Sequence, residues 1–477
     1  MDHGRSPDRG TRGGPTMRTV VRGGRIVTAS QDYHADLLIE DGTIATIGRL
    51  DDVVADRVID ATGRLVLPGA VDPHTHLDAP LKGTITADDF ESGTIAAAVG
   101  GTTTIIDFPL QQPGEDPRVS QEAWHDRARG KAVVDWSFHQ IITDLPDEYL
   151  PALDSLVADG IPSFKLFMAY PGARMVDDGT ILRAMRRAAE NGGFTMMHAE
   201  NGLAIQVLEQ EARAKGILGP IANAISRPSP TEGEATARAY MLAELAGVPV
   251  YVVHMVAAEA VAAVRAARDR GVAAYAETCP HYLLLTEERL NEPDFGGAKY
   301  VMCPPLRSKE DQEALWRGLQ NGDLQVVSTD HTPFRFADQK VMGKDDFAKI
   351  PNGVPGIEWR VGLLYHHGVR AGRLTLNRFV ELISTNPAKL FGLYPRKGEI
   401  AIGSDADLLL FDPDREVLLT AEHQLTRCDY NPYEGWTIQG ATDTVLLRGE
   451  VIVEGGRFVG HTGQGMFLPR GASMPVG

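Results

Sequence analysis

Residues 65–78 read LVLPGAVDPHTHLD. The stretch opens on an apolar run, 65–71, of the length and composition that make a fully buried strand. It closes on His74 and His76. In an extended backbone residues i and i+2 project to the same side, so both imidazoles face one point. Two neutral imidazoles aimed together are what a zinc-like ion takes as its first two ligands. An HxH pair alone equally suits a histidine-rich polar loop. The remainder of the chain separates the two.

Outward from this stretch, residues 68–395 alternate apolar runs with Ala/Glu/Arg-rich helical segments. Eight runs stand out: 65–71, 102–108, 133–139, 161–167, 194–198, 248–254, 271–277 and 325–330. Eight strands alternating with helices predict a (β/α)8 barrel of the α/β class, with its active site at the carboxyl ends of the strands. Residues 17–67 and 396–460 instead hold short β-rich segments between turns. ADLL at 35–38 is echoed by ADLL at 406–409, and RGGRIV at 22–27 loosely by RGEVIV at 448–453. The echo predicts one small β-sandwich domain built from both terminal segments, with the barrel inserted between its halves. Residues 1–16 read as a disordered extension and 461–477 as a Gly- and Pro-rich tail too irregular to fold alone.

The chain has 477 residues, 43% hydrophobic and 23% charged, with a formal net charge of −17. Such an acidic balance argues against nucleic acid and anionic membranes as partners. The three cysteines (Cys279, Cys303, Cys428) are far apart and form no CxxC pair, which suits a reducing cytoplasm and offers no thiolate metal site.

The strand ends carry a common chemistry. His74 and His76 follow the first run, Lys165 lies near the end of the fourth, His198 closes the fifth, His254 the sixth and Asp330 the eighth. Taken singly, each has an ordinary explanation: satisfied core histidines, a salt-bridge lysine, an N-cap aspartate. Together on one face of one barrel they are hard to explain by packing, because unpaired polar groups there are costly. Lys165 is the one basic residue of an apolar strand, PSFKLFMAY, and burial favours its neutral amine. A neutral amine can add carbon dioxide to become a carbamate that bridges two cations. It also suits a Schiff base, which leaves four convergent histidines unexplained.

HTHLD at 74–78, FKLFMAY around Lys165, His198, His254 and STDHTPF at 328–334 resemble the cyclic amidohydrolases of the hydantoinase and dihydropyrimidinase branch. GTTTIIDF, CPHYLLL, MCPPLR, KIPNGVPGIE and YNPYEGW extend the resemblance from about residue 18 to 468. It implies a (β/α)8 barrel with a binuclear centre of two divalent ions, zinc first, bridged by Lys165 as N6-carboxylysine. His74, His76 and Asp330 are then ligands of the more buried ion, and His198 and His254 of the second. The implied reaction is hydrolysis of the ring amide of cyclic ureides, 5-substituted hydantoins or dihydropyrimidines, by a metal-bound hydroxide. Asp330 is the implied proton carrier and Tyr170 the oxyanion donor. Cys303 and Asn352 are the implied ureide contacts, with Leu81 and Phe167 as apolar wall. Ala79 and Arg174 stand where such enzymes commonly carry bulkier apolar residues, which implies room for large substituents and tolerance of polar or anionic ends. The resemblance further implies a homotetramer or homodimer. Allantoinases and dihydroorotases share the scaffold, as do non-catalytic dihydropyrimidinase-like proteins that have lost metal ligands; all six ligand positions are kept in this chain.

Overall fold

The computed structural model describes residues 17–476; the extension expected at 1–16 lies outside them. Three parallel strands, β1 (Ala70–Thr75), β2 (Thr102–Asp107) and β3 (Asp135–Phe138), pair side by side. Past His139 the third position continues as Gln140–Ile141, which pairs with β4 (Ser163–Phe167). Then follow β5 (Phe194–His198), β6 (Val250–Val252), β7 (Ala274–Thr278) and β8 (Val326–Val327), each parallel to the one before. A parallel bridge between Thr75 and His331 closes the ring into a (β/α)8 barrel. The strands are buried along their whole length, as parallel strands covered by helices must be.

The covering helices are locally encoded. Lys309–Asn321 starts on a capping box between Ser308 and Asp311, stops at a left-handed Gly322, and buries Leu315, Trp316 and Leu319. Ala258–Asp269 turns a stripe of Ala260, Val261, Val264 and Ala267 inward, the i, i+3, i+4 spacing of one helix face.

The first apolar run does not form one strand. Leu65–Pro68 pairs with Leu408–Leu418 in the sandwich, and only Ala70–Thr75 enters the barrel. Gly69 makes the passage possible: a Cβ there would lie 2.3 Å from Thr103 Oγ1. The sandwich joins a four-stranded sheet drawn from residues 18–60 to a seven-stranded sheet drawn from both ends of the chain. Its core includes Val21, Ile26, Leu37, Leu408, Leu410 and Leu446. A buried ion cluster ties it to the barrel: Lys397 Nζ lies 2.8 Å from Asp135 on β3 and 2.6 Å from Asp407.

The tail lies across its own barrel, with Met466 N donating to Asp135 Oδ1 at 3.0 Å and Leu468 N to the Trp136 carbonyl at 2.8 Å. Arg470 is buried under β3 and β4, donating to Ser137 Oγ at 2.9 Å and Ser163 Oγ at 2.6 Å. The backbone groups left free at the edge of β3 give an irregular segment its partners.

Candidate metal centre and substrate pocket

The strand-end residues meet at the carboxyl mouth of the barrel. His74 Nε2 lies 2.9 Å from Lys165 Nζ and 3.1 Å from Asp330 Oδ1, and His76 Nε2 lies 3.2 Å from the same oxygen. His198 Nδ1 faces His254 Nε2 at 2.9 Å. The His74 and His254 rings stand 5.4 Å apart, joining the two groups. Donor atoms of His74, His254 and Asp330 lie within 4.8 Å of one another. Tyr170, His254 and Asp330 all have positive φ, 65°, 38° and 45°. Strained backbone at three such residues is held by its surroundings and is typical of functional sites.

Two buried carboxylates that the sequence reading did not single out set the ring orientations. Glu277 at the end of β7 lies 2.5 Å from His74 Nδ1, and Glu200, two residues after His198, lies 2.8 Å from His198 Nε2. A carboxylate only accepts, so the protons sit on those nitrogens and the lone pairs of His74 Nε2 and His198 Nδ1 face the centre. Glu277 also accepts from the Tyr251 hydroxyl at 2.8 Å and His254 N at 3.2 Å. Asp107 holds the HxH loop through Thr75 Oγ1 and Leu77 N, and burial raises its carboxyl to about 6.

Burial favours the neutral form, the one a metal requires, at three of the imidazoles. Burial presses His76 down to about 3 and lowers His198 and His254 as well. Burial works against the Asp330 carboxylate, yet His74 and its histidine neighbours outweigh it and hold the group well below its ordinary range. Lys165 is buried, makes no ion pair among the described residues, and is lowered to about 8, chiefly by burial. Buried lone pairs thus face one another, and His254 Nδ1 has no hydrogen-bond partner among the described residues. Four buried imidazoles, a carboxylate and a buried amine form a donor set that suits divalent cations.

A cavity of about 300 Å³ opens on this centre. Tyr170, Cys303, Asn352, Leu81 and Phe167 all line it, as does Arg174. Burial pushes the Tyr170 hydroxyl well above its usual range, so it stays a donor. Asn352 Nδ2 donates to Cys303 Sγ at 3.1 Å. The loops carrying these two are clamped by Lys340, also absent from the sequence reading. Its Nζ donates to the carbonyls of Val301, Pro351 and Gly353 at 2.7–2.8 Å. Ala79 does not line the cavity. The hairpin of Pro80–Leu81 and Thr84–Ile85 turns it into the core, where its N donates to Thr86 Oγ1 at 2.9 Å. It therefore adds no room for a substituent.

Residues 65–452 match the amidohydrolase family. D-hydantoinases of Streptomyces coelicolor and Geobacillus stearothermophilus are each 51% identical to the chain, covering 95% of it and 98% and 97% of themselves. The solved dihydropyrimidinase of Brevibacillus agri NCHU1002 superposes with a TM-score of 0.95 at 48% identity, over 96% of this chain and 99% of its own. At that identity over nearly the full length, the chain belongs to the amidohydrolase family, in its hydantoinase and dihydropyrimidinase branch of cyclic amidohydrolases.

Proposed function

We propose that this chain hydrolyses the ring amide bond of cyclic ureides, 5-substituted hydantoins and dihydropyrimidines, to N-carbamoyl amino acids. In this reading His74, His76 and Asp330 would hold one divalent ion, zinc first, His198 and His254 would hold a second, and Lys165, carboxylated by carbon dioxide, would be shared between them. The observation that carries it is Lys165: a buried amine lowered to about 8, without a carboxylate partner among the described residues, 2.9 Å from His74 Nε2. Bound metals supply Lewis acidity, which lowers the pKa of the attacking water and polarises the ring carbonyl.

The residues of the chain do the rest. Cys303 and Asn352 hydrogen-bond the ureide, while Leu81 and Phe167 pack on the substituent. As water adds to the carbonyl carbon, Asp330 accepts its proton and delivers it to the ring nitrogen when the carbon–nitrogen bond breaks. Tyr170 donates to the carbonyl oxygen as it becomes an oxyanion. The products are one carboxylate and one ureido N–H on a single opened molecule.

The buried free cysteines fit a reducing compartment, the cytoplasm, and no described helix is long and apolar enough to cross a membrane. Exposed Leu203 and Val207 on Gly202–Ala214, and Met241 and Leu245 on Ser229–Ala246, form i, i+4 apolar pairs that support a homotetramer or homodimer. Metal analysis beside rates on dihydrouracil, hydantoin, 5-substituted hydantoins and allantoin tests the proposal. Metal-dependent opening of hydantoins or dihydrouracil supports it; opening of allantoin alone overturns it.

A further inference from the structure

We infer that the cavity selects ring substituents ending in an anion, a carboxylate first, and that Arg174 with Lys82 forms the receptor for that end. The inference rests on the ring-hydrolysis reading above and specifies its substrate.

The charges around the cavity are unevenly matched. Among the described residues that line it, Asp330 is the one carboxylate, and it lies against His74 and His76 at the floor. Arg227 stands behind Tyr170, its guanidinium 5.4 Å from that ring, and is matched by Glu200 at 3.1 Å and Glu209 at 3.2 Å. Arg174 and Lys82 have no such match. The half-buried Arg174 side chain makes no ion pair and no hydrogen bond among the described residues. Its guanidinium lies 5.6 Å from the Phe167 ring and 5.8 Å from the Tyr170 ring, which hold it over the cavity. Among the described residues Lys82 Nζ meets a single neutral acceptor, the Ala348 carbonyl at 3.1 Å.

Other buried or half-buried arginines have acceptors: Arg187 has Asp154 and Arg378 has Glu381 at 2.7 Å, while Arg22, Arg127 and Arg470 donate to backbone carbonyls. With 64 acidic residues available against 47 basic ones, a cation left single at the substrate cavity stands out. Five guanidinium N–H groups without protein acceptors, beside a lysine with one, make a two-cation rim on an otherwise acidic molecule. Such a rim draws anions and can bind a carboxylate with both prongs of the guanidinium. Leu81, Phe167 and Ala173 line the cavity alongside these cations. The substituent that fits is a short apolar stem with an anionic end, and its opened product is an N-carbamoyl amino acid with an acidic side chain.

The test compares two hydantoins of nearly equal shape, one bearing 2-carboxyethyl at carbon 5 and the other 2-carbamoylethyl. The readout is the ratio of their kcat/KM values within each protein, so any general loss of activity cancels. Charged hydrogen bonds exceed neutral ones enough to give a carboxylate preference of about tenfold or more. Arg174→Gln is expected to lower that ratio about tenfold, and Lys82→Gln to lower it by a smaller step. A ratio at or below one in the natural protein overturns the inference, as does a ratio unmoved by Arg174→Gln. If Arg174→Gln does not fold, Lys82→Gln decides by the same criterion. Failure of the parent reading is distinct: neither these rings, hydantoin nor dihydrouracil would then be opened at all.

Discussion

Glu277→Gln isolates the contribution of one buried charge to the metal centre. In the natural protein Glu277 Oε1 accepts from His74 Nδ1 at 2.5 Å and His254 N at 3.2 Å, and Oε2 accepts from the Tyr251 hydroxyl at 2.8 Å. Glutamine has the same shape. With its amide oxygen in place of Oε1 it keeps both acceptor contacts, and its amide nitrogen donates to a Tyr251 hydroxyl that has turned round. The partners survive and the charge goes. A hydrogen bond to a charged acceptor contributes about 1.5–3 kcal/mol and a neutral one about 0.5–1.5. His74 therefore loses about 1–1.5 kcal/mol of support, or about tenfold in metal affinity, at the low end for residues that orient metal ligands. The assay titrates purified protein with a chelator, counts retained metal by emission spectrometry, and follows melting temperature beside it. A folded Glu277→Gln that holds metal as tightly as the natural protein refutes the assignment. Glu277→Leu, which leaves His74 Nδ1 and the Tyr251 hydroxyl without partners, should lose metal and stability together.

Tyr170→Phe should retain metal while kcat falls about a hundredfold or more, the scale of one lost oxyanion donor; a rise in KM alone would make Tyr170 a binding residue. Lys340→Met leaves three carbonyls without their donor and frees the loops of Cys303 and Asn352. Steady-state kinetics should show KM rising more than kcat falls, and an unchanged KM would sever Lys340 from the pocket. Burial raises the Glu358 carboxyl to about 8, so the native state keeps a proton that the unfolded chain releases in the mid-acid range. Protons bound in excess by the native state make stability fall as pH rises through that window. Calorimetry should find Glu358→Gln gaining on the natural protein from pH 5 to pH 8; a constant difference would mean an unshifted carboxyl.

Much of the site was legible because strand geometry is periodic. His74 and His76 are readable from one strand alone, and Lys165, His198, His254 and Asp330 stand out as polar residues ending apolar runs. Glu277 closes the seventh run, 271–277, in the same way, but its task of orienting His74, 203 residues away, is a tertiary fact that the run does not carry. Glu200 and Lys340 likewise act through ligands and loops rather than on a substrate, so nothing nearby in sequence announces them. The split of residues 65–71 between two sheets hinges on Gly69, where the close approach of Thr103 is a tertiary fact. The tail carries no periodic pattern, since its order comes from Asp135, Trp136 and the strand serines it meets. The inward turn of Ala79 belongs to the hairpin that follows it.

The bridging role of Lys165 is tested most directly by counting metal in the natural protein and in Lys165→Ala, with and without a short carboxylic acid such as propionate. The expected result is about two divalent ions per natural chain, as in two-metal hydrolases. Lys165→Ala should lose metal and activity together, and propionate should restore part of both by standing in for the carbamate. Full metal content and full activity in Lys165→Ala without any additive would contradict the account.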